Sequence, residues 1–234
     1  MKPKLFSPAG IAASDALAHR GFFRAFGPWT GVFAALGLLS GVPALAAEIH
    51  GQVLSAGAPI IDSAVTLWAA GAGAPQQLAQ TRTGADGRFV VNGDGNGAVL
   101  YLVAKGGHLA TKANGVDALA LMSVLGTNPP ADVVVNELTT VASAFTAARF
   151  IGGEAISGNP LGLRIAAGNA PNLVDPVTGN WGKVLLDPLN SSMTMTMANL
   201  DTLASLITAY FTVANDDWRG RFLKAAMPPR GVLA

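Results

Sequence analysis

Cysteine is absent from all 234 residues. That excludes a disulfide scaffold, a thiol enzyme, a zinc ribbon and a lipid attached through cysteine. An oxidising compartment is compatible with this composition and is not required by it. Charge is also scarce, at 12% Asp, Glu, Lys and Arg against 50% hydrophobic residues, with a mean hydropathy of +0.41. A disordered tail needs the opposite balance. The formal net charge is +1 and basic residues form no block, so the electrostatic footprint of a nucleic-acid binder is missing. No Gly-x-Ser-x-Gly elbow, Ser-x-x-Lys, His-Glu-x-x-His or Walker A loop occurs, and the standard routes to nucleophilic, metal or phosphate chemistry therefore have no motif.

What is present begins with an address. Lys2, Lys4, Arg20 and Arg24 against the single Asp15 make the opening positive, and no charged residue follows from Ala25 to Ala47. The apolar run Val32–Val42 is broken by Pro43 and closed by Ala44-Leu45-Ala46, a small-x-small site. This reads as a signal peptide over residues 1–46, and predicts a periplasmic or secreted protein. The alternative is an uncleaved membrane anchor, since the uncharged stretch is long enough to span a bilayer. Removal of the leader leaves 11 basic against 13 acidic residues, so the basic character belongs to the leader.

From Glu48 the pattern becomes short runs of period-two alternation separated by Gly, Pro, Asn and Asp, which predicts an antiparallel β-sandwich. Strands are expected at Ile49–Leu54, Ala64–Ala69, Leu78–Thr83, Arg88–Asn92 and Ala98–Ala104. The last is apolar on both faces and is expected to be central. Asp86-Gly87 fits a tight turn, with Asp86 bonding backbone amides and Gly87 at positive φ.

Ile49-His-Gly51-Gln-Val-Leu54, the proline at 59 before Ala64-Val-Thr-Leu-Trp68, Thr83-Gly-Ala-Asp86-Gly-Arg-Phe89 and Tyr101-Leu-Val-Ala-Lys-Gly-Gly107 stand in that order. Together they resemble the carboxypeptidase regulatory-like domain, a transthyretin-like sandwich, over residues 47–107. The resemblance implies a binding or spacer module in an exported protein, and no catalytic residue of its own. The loop Asn92-Gly-Asp-Gly-Asn-Gly97 departs from the family, which more often carries a proline-glycine turn there.

After His108 helical spacing is expected to take over, with Val116, Leu119, Ala120, Ser123 and Val124 on one face and a stop at Thr127-Asn-Pro-Pro130. Asp132–Val135 is a short β-branched run. Asn136-Glu137 offers a helix cap with an acidic first turn. The following helix is expected to bury Leu138, Val141, Ala142, Phe145 and Ala148. Residues 152–190 are rich in Gly, Pro and Asn and read as a long irregular connection with one or two helical turns. A helix is expected over about Thr194 to Val213, and a short one from Asp216 to Lys224 before Pro228-Pro229. The class predicted overall is α+β: a signal peptide, an N-terminal antiparallel β-sandwich, and a mostly helical region over 108–234. Asn136-Glu-Leu-Thr-Thr-Val-Ala-Ser143, Leu161–Asn169 and Asp187–Ser191 resemble, more loosely, the segment after the sandwich in exported bacterial proteins that carry NHL-like propellers. That resemblance leaves open an N-terminal fragment of a larger propeller protein.

Candidate site residues are few. Asn92, Asp94 and Asn96 imitate the first half of an EF-hand, but the twelfth position is Val103 instead of glutamate, so no cofactor is expected beyond weak calcium binding. Trp68 has two readings, a platform for stacking on a pyranose ring and a packing contact. His50 and His108 read as surface or edge residues, and Asp216-Asp217 as a helix cap. These features predict a non-enzymatic binding or spacer module of the cell envelope, with an envelope protein or polysaccharide as partner. A carbohydrate-binding module using Trp68 or the Asn92–Gly97 loop is the alternative.

Overall fold

Residues 47–109, 120–213 and 215–226 are described by the computed structural model. The leader, Val116, Leu119 and Pro228-Pro229 lie outside the described residues. Nine strands form two sheets: β1 (Ala47–Ser55), β2 (Ala58–Ile61), β3 (Ala64–Ala70), β4 (Gln76–Arg82), β5 (Arg88–Gly93), β6 (Val99–Lys105), β7 (His108–Leu109), β8 (Ala120–Gly126) and β9 (Asp132–Val135). One sheet runs β5-β1-β2-β7 with β9 also on β1, and the other runs β4-β3-β6-β8. Pairing is antiparallel throughout except for β9, which lies parallel to β1. Then follow α1 (Glu137–Thr146), the small hairpin β10 (Ile151–Gly152) and β11 (Ala155–Ile156), and α2 (Pro160–Leu173). The short α3 (Lys183–Leu186) and α4 (Pro188–Met193) lead to α5 (Thr196–Thr212) and α6 (Asp216–Ala226). The class is α+β.

Alternation in the sequence becomes layering. On β5, Phe89, Val91 and Gly93 point inward between exposed neighbours. Phe89 and Val91 meet Ile49 and Val53 of β1 and Leu100, Leu102 and Ala104 of β6 in one buried cluster. The other face of β6, Val99, Tyr101 and Val103, packs against Leu163, Ala167 and Ala170 of α2. β6 is thus buried on both faces between β3 and β8, as its doubly apolar pattern predicts. Each fully buried Val, Leu, Ile or Phe contributes roughly 1.5–3 kcal/mol, so this strand is the hub of the fold.

Glycines hold the first sheet together by leaving room. Gly51 lies opposite Phe89 in the β1–β5 register, and a Cβ there would sit 2.1 Å from Phe89 Cζ. Gly87, at φ +73°, would place a Cβ 2.7 Å from the Val53 carbonyl oxygen and 3.0 Å from Pro59 Cβ. Asp86 Oδ1 accepts from Arg88 N at 3.0 Å, closing the expected turn. Four residues of the sandwich pattern, Gly51, Pro59, Gly87 and Phe89, therefore pack as two pairs.

Three expectations are corrected. Residues 120–126 are not helical: β8 pairs with β6 from Leu100↔Gly126 to Lys105↔Ala120. Leu121 and Leu125 face the cluster between the sheets while Met122 and Val124 face the helices, and a run apolar on both faces carries no period that separates strand from helix. The sheets consequently run on to Val135 instead of closing near residue 107, with β9 pairing β1 from His50↔Asp132 to Val53↔Val135. Residues 152–190 contain the 14-residue helix α2, capped by Asn159 with Pro160 at its start. Its buried face, Leu163, Ala166, Ala167 and Ala170, has helical spacing but is mostly alanine, too weak a stripe to read. The third correction concerns α1: Val141 and Ala142 are buried, but Phe145 is 60% exposed and Ala148 lies beyond the helix end.

The reason is that α1 buries a hydroxyl-bearing face. Met122 N donates to Thr140 Oγ1 and Val124 N to Ser143 Oγ, both at 2.9 Å. Helix hydroxyls thus satisfy the edge of β8, which would otherwise offer open amides for pairing. The edge of β9 is met in the same manner by the loop after α2, with Val134 N donating to the Pro176 carbonyl at 2.8 Å.

Candidate functional site

The residues singled out from sequence do not form one site. Trp68 lies on the outer face of the second sheet, half-buried, its ring stacked on Tyr101 at 6.5 Å and 14°. Tyr101 is fully buried and its Oη accepts from Ile156 N at 3.2 Å. Burial pushes the Tyr101 phenol above the ordinary tyrosine range, and the bond from Ile156 offsets part of that. Asn92 is on β5 in the other sheet, opposite Glu48. Asp94 Oδ1 accepts from Asn96 N at 2.8 Å, and Asn96 takes a left-handed φ of +45°. Asp94 is thereby holding its own loop. No group of three metal-ligating side chains occurs among the described residues.

Other candidates also have local roles. His50 lies 3.5 Å from Glu48 on the exposed side of β1. Asp216 and Asp217 pair along α6 with Arg219 at 3.3 Å and Arg221 at 3.0 Å. Asn136 caps α1 in a reciprocal box: its Oδ1 accepts from Thr139 N, and Thr139 Oγ1 accepts from Asn136 N, both at 2.9 Å. Glu137, 7% exposed, accepts from Ser55 Oγ at 2.6 Å and from Ala56 N at 2.9 Å, tying the helix start to the β1–β2 turn.

An open apolar surface lies in the helical layer. Between α1, α5 and α6 lies an apolar groove of about 600 Å³, lined chiefly by Val141, Phe145, Leu203, Leu206, Ile207 and Phe222. Phe145 is 60% exposed, Leu203 48% and Leu206 40%. The lining contains no charged side chain. Its one hydroxyl, on Thr140, already donates to the Asn136 carbonyl at 2.6 Å and accepts from Met122 N. The groove can therefore recognise apolar surface and little else. Periodicity assigns Phe145 to a buried stripe, and only the placement of α5 and α6 shows that this side chain borders a groove.

Comparison with known proteins adds little. No family model matches the chain, and no curated protein is similar to it. Among solved structures, a 9R-lipoxygenase from Cyanothece is similar over 38% of this chain and 16% of its own, at 16% identity and a TM-score of 0.26. Similarity at that level carries no argument about fold or activity. Among the described residues, no helix is long and apolar enough to cross a membrane.

Proposed function

We propose that this protein is a non-enzymatic, exported binding module of the cell envelope, built on a carboxypeptidase regulatory-like, transthyretin-like sandwich. The groove between α1, α5 and α6 is the observation that carries the reading. A folded chain that leaves a phenylalanine and two leucines open beside an apolar cleft has a surface matched to a partner. The charge-free lining selects an apolar protein segment over a polysaccharide. The sandwich reading is supported by the packing of Gly51 on Phe89 and Gly87 on Pro59. The export reading rests on the leader pattern.

A photo-crosslinking side chain at position 145 tests the function in intact cells. The expected result is one envelope protein, which then binds the purified chain directly and binds Phe145→Ser and Leu206→Ser at least tenfold more weakly. Crosslinking only to copies of itself, or to nothing while the protein is folded, refutes the reading. So does turnover of a substrate by the purified chain that is lost on changing a single residue.

A further inference from the structure

A second concave surface lies on the second sheet, away from the groove, and is polar where the groove is apolar. In the strand register Ala64 stands directly opposite Arg82 on one side and Lys105 on the other. Directly opposed residues share a face, so two cationic side chains rise on either side of a methyl group from strands whose backbones are about 10 Å apart. The cleft they border measures about 420 Å³ and is completed by Asp62, Gly106, Gly107 and His108. Its shape is fixed by backbone. Gly107 has φ +86°, and a Cβ there would lie 2.6 Å from the Ile61 carbonyl oxygen and 2.9 Å from Ser63 N. Asp62 is held at φ +58°, with Arg82 Nη1 donating at 3.0 Å to both its carbonyl oxygen and its Oδ1.

The charges in this cleft are engaged, but only by weak partners. Arg82 pairs with Asp62, and Lys105 Nζ with Glu154 Oε1 at 2.6 Å. All four side chains are at least half exposed, and ion pairs this open exchange readily with competing anions. Arg82, Lys105 and His108 supply donors, while Asp62 supplies acceptor oxygen beside them. A bare phosphate or sulfate would use the donors and be repelled by Asp62. A sugar acid satisfies both, its carboxylate on Lys105 and Arg82 and its hydroxyls on Asp62. The volume suits one or two sugar rings.

We propose that this cleft is a binding site for a uronic-acid sugar, with Arg82 and Lys105 as the carboxylate donors, Asp62 as a hydroxyl acceptor and Ala64 as the floor. Glu154 is released from Lys105 when the sugar binds. The site is independent of the apolar groove.

The test is titration of the purified full chain with glucuronate at low salt, followed by amide NMR shifts at Ala64 and Gly107. Glucose and inorganic phosphate are run in parallel. Saturable shifts with glucuronate alone are expected, weakened about fivefold or more in Arg82→Gln and in Lys105→Gln and reduced by added salt. Ala64→Leu fills the floor without altering charge and is expected to abolish binding. Phe145→Ser, in the groove, leaves it unchanged. No saturable shift, equal binding of phosphate, or glucuronate binding indifferent to Arg82→Gln, Lys105→Gln and Ala64→Leu would each overturn the proposal.

Discussion

Glu137 is the residue whose loss should reach furthest through the fold. The residue is 7% exposed, and its carboxylate accepts two hydrogen bonds from a turn more than eighty residues earlier: Ser55 Oγ, on a fully buried residue, and Ala56 N. It also lies in the first turn of α1, where negative charge is favourable by about 0.3–1 kcal/mol. Glu137→Ala removes the acceptor and leaves a hydroxyl and an amide without a partner. Each orphaned donor costs about 1–3 kcal/mol, so a loss of about 3–4 kcal/mol is expected, a large part of the roughly 5–15 kcal/mol that holds a typical domain together. Glu137→Gln keeps the shape and one carbonyl acceptor and should lose about 1–2 kcal/mol, because a neutral acceptor is weaker than a carboxylate. Urea unfolding followed by tryptophan fluorescence measures both, provided the slope with urea stays constant between variants. A double-mutant cycle with Ser55→Ala isolates the contact, and a coupling of about 1.5–3 kcal/mol is expected for a hydrogen bond to a charged group. If Glu137→Ala costs less than about 1 kcal/mol, or the two substitutions simply add, then Glu137 is not the tie between the sheet and the helical layer.

Other residues give sharper single tests. Gly51→Ala should destabilise by about 1–3 kcal/mol through its clash with the buried Phe89 ring, and Phe89→Leu in the same chain should recover part of that in thermal unfolding. Ala56 is held at φ +51°, so Ala56→Gly should raise stability by about 1 kcal/mol in the same assay, and a fall would show that the turn is not strained. Because burial raises the Tyr101 phenol, its stabilising contribution is complete below the ordinary tyrosine value of about 10 and declines as pH climbs above it. Tyr101→Phe should flatten that alkaline decline in melting temperature, at the cost of the Ile156 amide's partner. With Asp94 engaged by Asn96 N, calcium at about 1 mM should leave the melting temperature unchanged, and a rise reversed by chelator would show a site at this loop.

How much of this was legible beforehand depended on whether the relevant signal was local. The strands around residues 49–54, 64–69, 78–83, 88–92 and 98–104 alternate over short runs bounded by turn residues, and all five occur within two residues of their expected ends. The cap at Asn136 and the turn at Asp86-Gly87 are also short-range chemistry, set by side chains bonding amides two or three residues away. Tertiary structure decided the rest. A run such as Leu121–Leu125, apolar on both faces, becomes a strand because β6 has an open edge to pair with. The α2 face becomes a buried helix face because small alanines fit against Tyr101 and Val103. Phe145 follows the helical period yet stands open, because α1 turns Thr140 and Ser143 toward the unpaired amides of β8. Arg82 and Lys105, 23 positions apart in sequence, flank one alanine only once β4, β3 and β6 are in register. Sequence by itself determined where the chain bends, alternates and caps, since those depend on neighbours along it. Which faces meet, and so which residues are left to bind something else, was decided by pairing and packing between segments far apart in the chain.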